Sequence, residues 1–174
     1  MSRLQHFLYG SRDSIPMIVG ILPFGLIYGA LASLAGLSLG QALGMSLLVY
    51  AGSAQFIAIS LLTLGSGTLV ILLTTLVVNL RHVLYSAALQ PYVGRLAQRW
   101  RVPLAFGLTD ETFAVVQRRY LARGMAEHGQ WYHAGVALAL YVSWVSSSLV
   151  GALFGQSVPN LAGWGLDFAM LATF

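Results

Sequence analysis

The stretch VILLTTLVVNLRHVLYSAALQPY, residues 70–92, is an apolar run long enough to cross a bilayer, yet it holds Asn79, Arg81, His82 and Tyr85. An arginine near the centre of a spanning helix costs about 2.5–3.5 kcal/mol on insertion scales, so an ionisable group kept there points to function. The polar positions are ordered. Thr75, Asn79, His82, Ser86 and Gln90 recur at steps of four, three, four and four, which stacks them on one helical face with Arg81 and Tyr85 at its flank. That face is expected to look at protein or water rather than lipid; a purely structural polar seam is the alternative reading.

Working outward, a chain that is 57% hydrophobic and 8% charged cannot cover itself with a soluble surface. Its 174 residues allow roughly four to five spans of about 20 apolar residues each. The expected fold is an all-α integral membrane protein, a polytopic helical bundle with at least one broken or re-entrant segment, forming a single transmembrane domain over residues 1–174. The formal charge of +4 comes entirely from arginine among the basic residues and reads as a topology signal rather than a nucleic-acid surface. Arg3 and Arg12 precede the first apolar run, Arg81 lies in the third, and Arg95, Arg99, Arg101, Arg118, Arg119 and Arg123 fall between the third and fourth. Cysteine is absent, which excludes disulfides, thiolate metal sites and thiol catalysis. The polar stretch Met1–Asp13 leads into an apolar segment without an A-x-A-like cleavage site, so the first helix is expected to serve as the insertion signal.

The first run, Ser14 to Gly36, is interrupted by Pro16, Gly20, Pro23, Gly25 and Gly29, and a kink or break is expected near residues 22–25. Pro23 and Gly25 are therefore candidates for a discontinuous-helix binding site; a proline-kinked packing helix is the plain alternative. Ser38 followed by Gln41 has capping-box spacing and predicts a second helix from Ser38 to about Leu64. Within it Ser53 and Gln55 either bridge helices or meet a ligand, since a buried glutamine needs partners. Between Val93 and Gln130 the chain turns basic, with Trp100 and Tyr120 as interfacial anchors. It encloses a short piece from Pro103 to Val116 bearing Asp110 and Glu111, expected as a re-entrant or interfacial segment or an amphipathic surface helix. The fourth span, about Trp131 to Gly155, carries Gly135, Ala139, Ser143, Ser147, Gly151 and Gly155 at every fourth position, a close-packing face for a helix of this chain or of a partner. A last apolar segment, Leu161 to Phe174, contains Asp167 and is too short to span alone.

Three full crossings between Arg12 and Arg95 would place the two basic regions on opposite sides of the membrane, against the positive-inside rule. A broken, re-entrant segment among the first three removes the conflict, and the Pro/Gly-rich first run is the expected one.

Five blocks, Pro23-Phe-Gly25, Tyr50-Ala-Gly-Ser-Ala-Gln-Phe56, Asn79-Leu-Arg-His-Val-Leu-Tyr85, Thr109-Asp-Glu-Thr-Phe113 and Leu166-Asp-Phe168, taken in order, resemble the AzlC-type branched-chain amino-acid permeases. The resemblance implies export of valine, leucine and isoleucine across the bacterial inner membrane, together with a small AzlD-type membrane subunit. It also implies further spans beyond Phe174, so the chain is expected to be truncated at its C-terminus relative to the family. No phosphate-binding G-x-x-x-x-G-K-[ST] occurs, which makes proton coupling the simpler expectation, and no cofactor or metal is implied. A zwitterionic aliphatic amino acid needs a partner for its carboxylate, an acceptor for its ammonium and an apolar pocket. Arg81 or backbone N–H groups after Pro23 suit the first; Asp110, Glu111, Asp167 or carbonyls at a helix break suit the second. Asn79, Tyr85, Gln55 and Ser53 complete the candidate binding set. His82 is the expected proton carrier, with Asp110 and Glu111 as further titrating groups, although His82 as a neutral helix bridge and Arg81 as a snorkelling residue remain open. A non-transporting scaffold and a carrier of another small polar solute are the competing functions. A membrane enzyme is disfavoured, because neither metal-type histidine spacing nor a nucleophile elbow is present.

Overall fold

The computed structural model describes residues 2–157, among which every element is helical. The Leu161–Phe174 segment, with Asp167 and the Leu166-Asp-Phe168 block, lies outside the described residues. Ser2 opens α1 (Arg3–Asp13) with a reciprocal capping box: the Gln5 N–H donates to Ser2 Oγ and the Ser2 N–H to Gln5 Oε1. Ser38 and Gln41 do the same for α3 (Leu39–Leu48), as their spacing predicts.

The breakers act elsewhere than expected. The first run forms one continuous helix, α2 (Ile15–Leu34), straight through Pro23, so no half-helix starts after that residue. Proline removes one N–H and frees the carbonyl four residues earlier, a loss that membrane helices tolerate when neighbours cover the freed group. The second run is the one that breaks. After α3 the Val49 and Tyr50 N–H groups both return to the Met45 carbonyl, Tyr50 takes a left-handed φ of 46°, and α4 (Gly52–Thr63) begins afresh. Such a conformation costs a bulky side chain about 1–2 kcal/mol, offset here by burial of the ring at 5% exposure. A single helix to Leu64 is thus replaced by two short ones.

The third run is α5 (Thr68–Asn79) and α6 (Arg81–Val93), parted only at Leu80, whose N–H turns back to Val77 rather than four residues. The short basic segment resolves into α7 (Gln98–Phe106), with Pro103 inside it, and α8 (Asp110–Arg123). Helix α8 is amphipathic: Thr112, Val115, Val116 and Tyr120 are buried at helical spacing, with Arg118 and Arg123 exposed. Helix α9 (Gly129–Ser157) closes the described chain. Ile15–Leu34, Thr68–Val93 and Gly129–Gly155 are long and apolar enough to cross a membrane, whereas α3 and α4 are each too short.

Two compact units emerge. Unit one comprises Met1–Val19 with Arg81–Val142; unit two comprises Gly20–Leu80 with the segment from Ser143 onwards. The small-residue ladder of α9 is used in both. In unit one Gly135 lies against the backbone of Phe7 in α1 and Gly10 against that of Tyr132; Ser11 Oγ also donates to the Gly135 carbonyl at 3.2 Å. In unit two Gly151 meets the backbone of Leu26, and Gly29 that of Ser148 and Ala152. A Cβ at any of these glycines would strike main chain, so helices this close require them.

Every arginine falls in unit one, and among the described residues so does every acid. Arg3 and Arg99 line the same cleft beside Trp100 and Trp131, whose rings meet edge to face at 4.8 Å. Arg3 of the N-terminal region and Arg99 of the large basic region therefore stand together, although the first run carries no break.

Candidate functional site

Arg81 is the first residue of α6 and Tyr85 follows one turn later, so both project from the same face of that helix. Asp110 is the first residue of α8, behind the Thr109 cap, whose side-chain oxygen accepts the Thr112 N–H at 3.3 Å. The helix N-terminus favours a carboxylate there. Packing of α6 on α8 joins the two: Arg81 Nη1 lies 2.8 Å from Asp110 Oδ2, and the Tyr85 hydroxyl donates to Asp110 Oδ1 at 2.7 Å. Tyr85 stacks on Phe113 with ring centroids 4.4 Å apart, and His82 meets the Tyr85 ring edge-on at 5.8 Å. Glu111 sits half-buried in the same first turn of α8.

The Arg81 and Asp110 side chains remain 29% and 40% exposed. An arginine kept in an apolar run at this exposure points to a role beyond holding the fold. What the arrangement does offer is a guanidinium and a carboxylate side by side, each reachable, over an aromatic shelf.

The remaining sequence candidates are placed in unit two. Gln55 is fully buried and spans two neighbours: its Nε2 donates to Ser46 Oγ at 3.3 Å, and Trp144 Nε1 donates to its Oε1 at 3.1 Å. Tyr28 stacks on Trp144 at 5.9 Å and donates its hydroxyl to the Ala42 carbonyl at 3.0 Å. This is the helix-bridging reading of Gln55. Gly25 lies against the Ser147 side chain, in the α2–α9 packing seam. Ser53 stands in the first turn of α4, and Asn79 ends α5 with a buried Oδ1 that has no hydrogen-bond partner. The structure thus brings together Arg81, His82, Tyr85 and Asp110, and sets Gln55 and Gly25 in packing roles elsewhere.

Two residues escape the sequence reading. Phe113 belongs to a quoted block but carries no polar signal, and only its position three residues after Asp110 on a helix marks it as the Tyr85 shelf. His133 is a lone histidine at the start of a span, and it is buried in unit one. Among the described residues no group of three or more histidine, aspartate or glutamate side chains gathers to hold a metal ion.

Span-length apolar helices, broken shorter ones and, among the described residues, charge confined to one unit define a polytopic α-helical integral membrane protein. Residues 16–158 match the AzlC protein family, and the chain belongs to that family. It is 31% identical over 153 residues to the inner membrane protein YgaZ of Escherichia coli, covering 87% of this chain and 62% of the relative. An uncharacterized membrane protein of Helicobacter pylori is 32% identical, over 98% of this chain and 75% of the relative. The branched-chain amino acid transport protein AzlC of Bacillus subtilis is 32% identical, over 92% of this chain and 62% of the relative. The chain therefore spans a little under two thirds of the length of the Escherichia coli and Bacillus subtilis proteins. No solved structure matches it significantly. Its relatives and its helices agree with an inner-membrane location.

Proposed function

We propose that the chain forms the transport domain of a permease that exports branched-chain amino acids, coupled to protons and working with a small AzlD-type membrane subunit. The observation that carries this reading is the exposed Arg81–Asp110 pair with its Tyr85 partner. A zwitterion is the solute class that answers both halves at once: its carboxylate takes the guanidinium, its ammonium takes the carboxylate, and one ion pair is exchanged for two. Tyr85 holds Asp110 in orientation through its hydroxyl, and the Tyr85–Phe113 stack presents an apolar face to an aliphatic side chain. In this reading His82, on the edge of Tyr85, carries the proton, and Glu111 adds negative charge beside the site. The name of the Bacillus subtilis relative supports the substrate class. The scaffold alternative loses its one positive feature, because the small-residue ladder is taken up by α1 and α2 of the same chain.

The test is export of labelled valine, leucine and isoleucine from cells carrying the full-length protein and a candidate small subunit, at matched membrane levels. Arg81→Ala and Asp110→Ala are each expected to lower flux at least tenfold, and His82→Ala to remove its dependence on the proton gradient. Full flux in both Arg81→Ala and Asp110→Ala would overturn the reading.

A further inference from the structure

We propose that unit one contains a second small-molecule site, separate from the Arg81–Asp110 pair, that takes an aliphatic carboxylate of amino-acid size. A cavity of about 480 Å³ opens beside α6, α7 and α9, within the size range of small-ligand pockets. Val83, Leu104 and Leu108 supply apolar wall; Ser86, Gln90 and Arg101 supply polar groups. At about 100° per residue along α6, Val83 and Gln90 lie on the side of the helix away from Arg81 and Tyr85, while Leu89, one turn after Tyr85, closes the near edge of the cavity.

His133 also lines the cavity, and it marks the cavity as more than a packing gap. Its side chain is 2% exposed, its ring lies 6.4 Å from that of Tyr120, and neither Nδ1 nor Nε2 has a hydrogen-bond partner. A neutral imidazole has one donor and one acceptor; leaving both unmet in a buried place forfeits the hydration of each, and folded proteins rarely keep such a group without a partner. The walls state the chemistry of that partner. They are mostly aliphatic, and among the described residues Arg101 is the one charged group there and no acid lines the cavity to receive an ammonium. Both His133 nitrogens are closed off from the open space, so a carboxylate on Arg101, with a branched alkyl body against Val83 and Leu104, meets the His133 N–H once that ring turns toward the cavity. A zwitterion meets the Arg81–Asp110 pair instead.

The probe is 4-methylpentanoate, which is leucine without its ammonium, titrated calorimetrically into the full chain in nanodiscs of phosphatidylethanolamine and phosphatidylglycerol, with leucine as the second ligand. Saturable binding of 4-methylpentanoate is expected, weakened at least tenfold by His133→Phe and by Ala87→Leu. Ala87→Leu fills the cavity from α6 while leaving the histidine in place, so it tests the site even where His133→Phe fails to fold. Arg81→Ala should leave 4-methylpentanoate binding within twofold while weakening leucine, which separates this inference from the transport reading. Absence of saturable 4-methylpentanoate binding to the wild type, or binding indifferent to both cavity variants, or binding lost with Arg81→Ala, would overturn it. An acyl chain of the surrounding lipid is then the occupant of the cavity, or the ion pair is the carboxylate's site.

Discussion

Arg81 and Asp110 separate stability from activity. Either alanine variant leaves its partner's charge without a mate and should cost about 1–3 kcal/mol of stability, short of unfolding, while transport falls at least tenfold. Melting in detergent set against flux in cells checks the split. Tyr85→Phe keeps the stack on Phe113 and deletes the hydroxyl that donates to Asp110, so it should raise KM more than it lowers maximal flux. His6 allows a pH prediction. Burial first, then the N-terminal amine, Arg119 and His128, push its pKa below the ordinary value of 6.5. The folded protein thus binds fewer protons at this site than the unfolded chain, and stability should decline as pH falls below about 6.5. His6→Leu should flatten that part of the decline in melts recorded from pH 7.5 to 5.5. At this scale the polar residues were legible because charge and imidazole are rare in an apolar run. Their mates were not: which acid Arg81 meets depends on how α6 packs on α8, Phe113 looks like an ordinary member of an apolar face, and His133 follows so closely on the polar stretch ending at Gln130 that its imidazole does not stand out.

Helix α9 and its partners set what can be substituted. Gly151→Leu places a side chain where the backbone of Leu26 lies and should cost more than about 3 kcal/mol or prevent folding; Gly20, with open space around its Cα, should accept alanine with neutral or favourable effect, up to about 1 kcal/mol. Thermal stability of purified protein in one detergent decides between them. Gln55→Leu should cost about 1–3 kcal/mol, because Trp144 Nε1 and the Ser46 hydroxyl lose their partner inside the packed unit. The Ser38 cap could be read directly, since caps are local chemistry. The position of the break could not. Proline and glycine in the first run looked like interruption, but Gly25 and Gly29 provide close approach to α9 and α2 runs on through Pro23. The interruption falls at Tyr50, a residue type that carries no turn signature.

Charge is segregated over the whole molecule, with all arginines in one compact unit. Arg3→Cys and Gln98→Cys should therefore react with a membrane-impermeant maleimide from the same side, and the absence of native cysteine leaves no background; labelling from opposite sides would contradict the shared cleft of Arg3 and Arg99. Helical membrane character was legible from composition alone, whereas the meeting of the two basic regions depends on contacts between distant parts of the chain. The seam of α2 and α9 also has a history. Gly29 leaves the ribosome about 120 residues before Gly151, and at roughly 5–20 residues per second α2 waits on the order of ten seconds for its partner. Throughout that interval its glycine-lined groove stands without the helix that finally fills it, so the α2–α9 seam is a late event in the making of the protein.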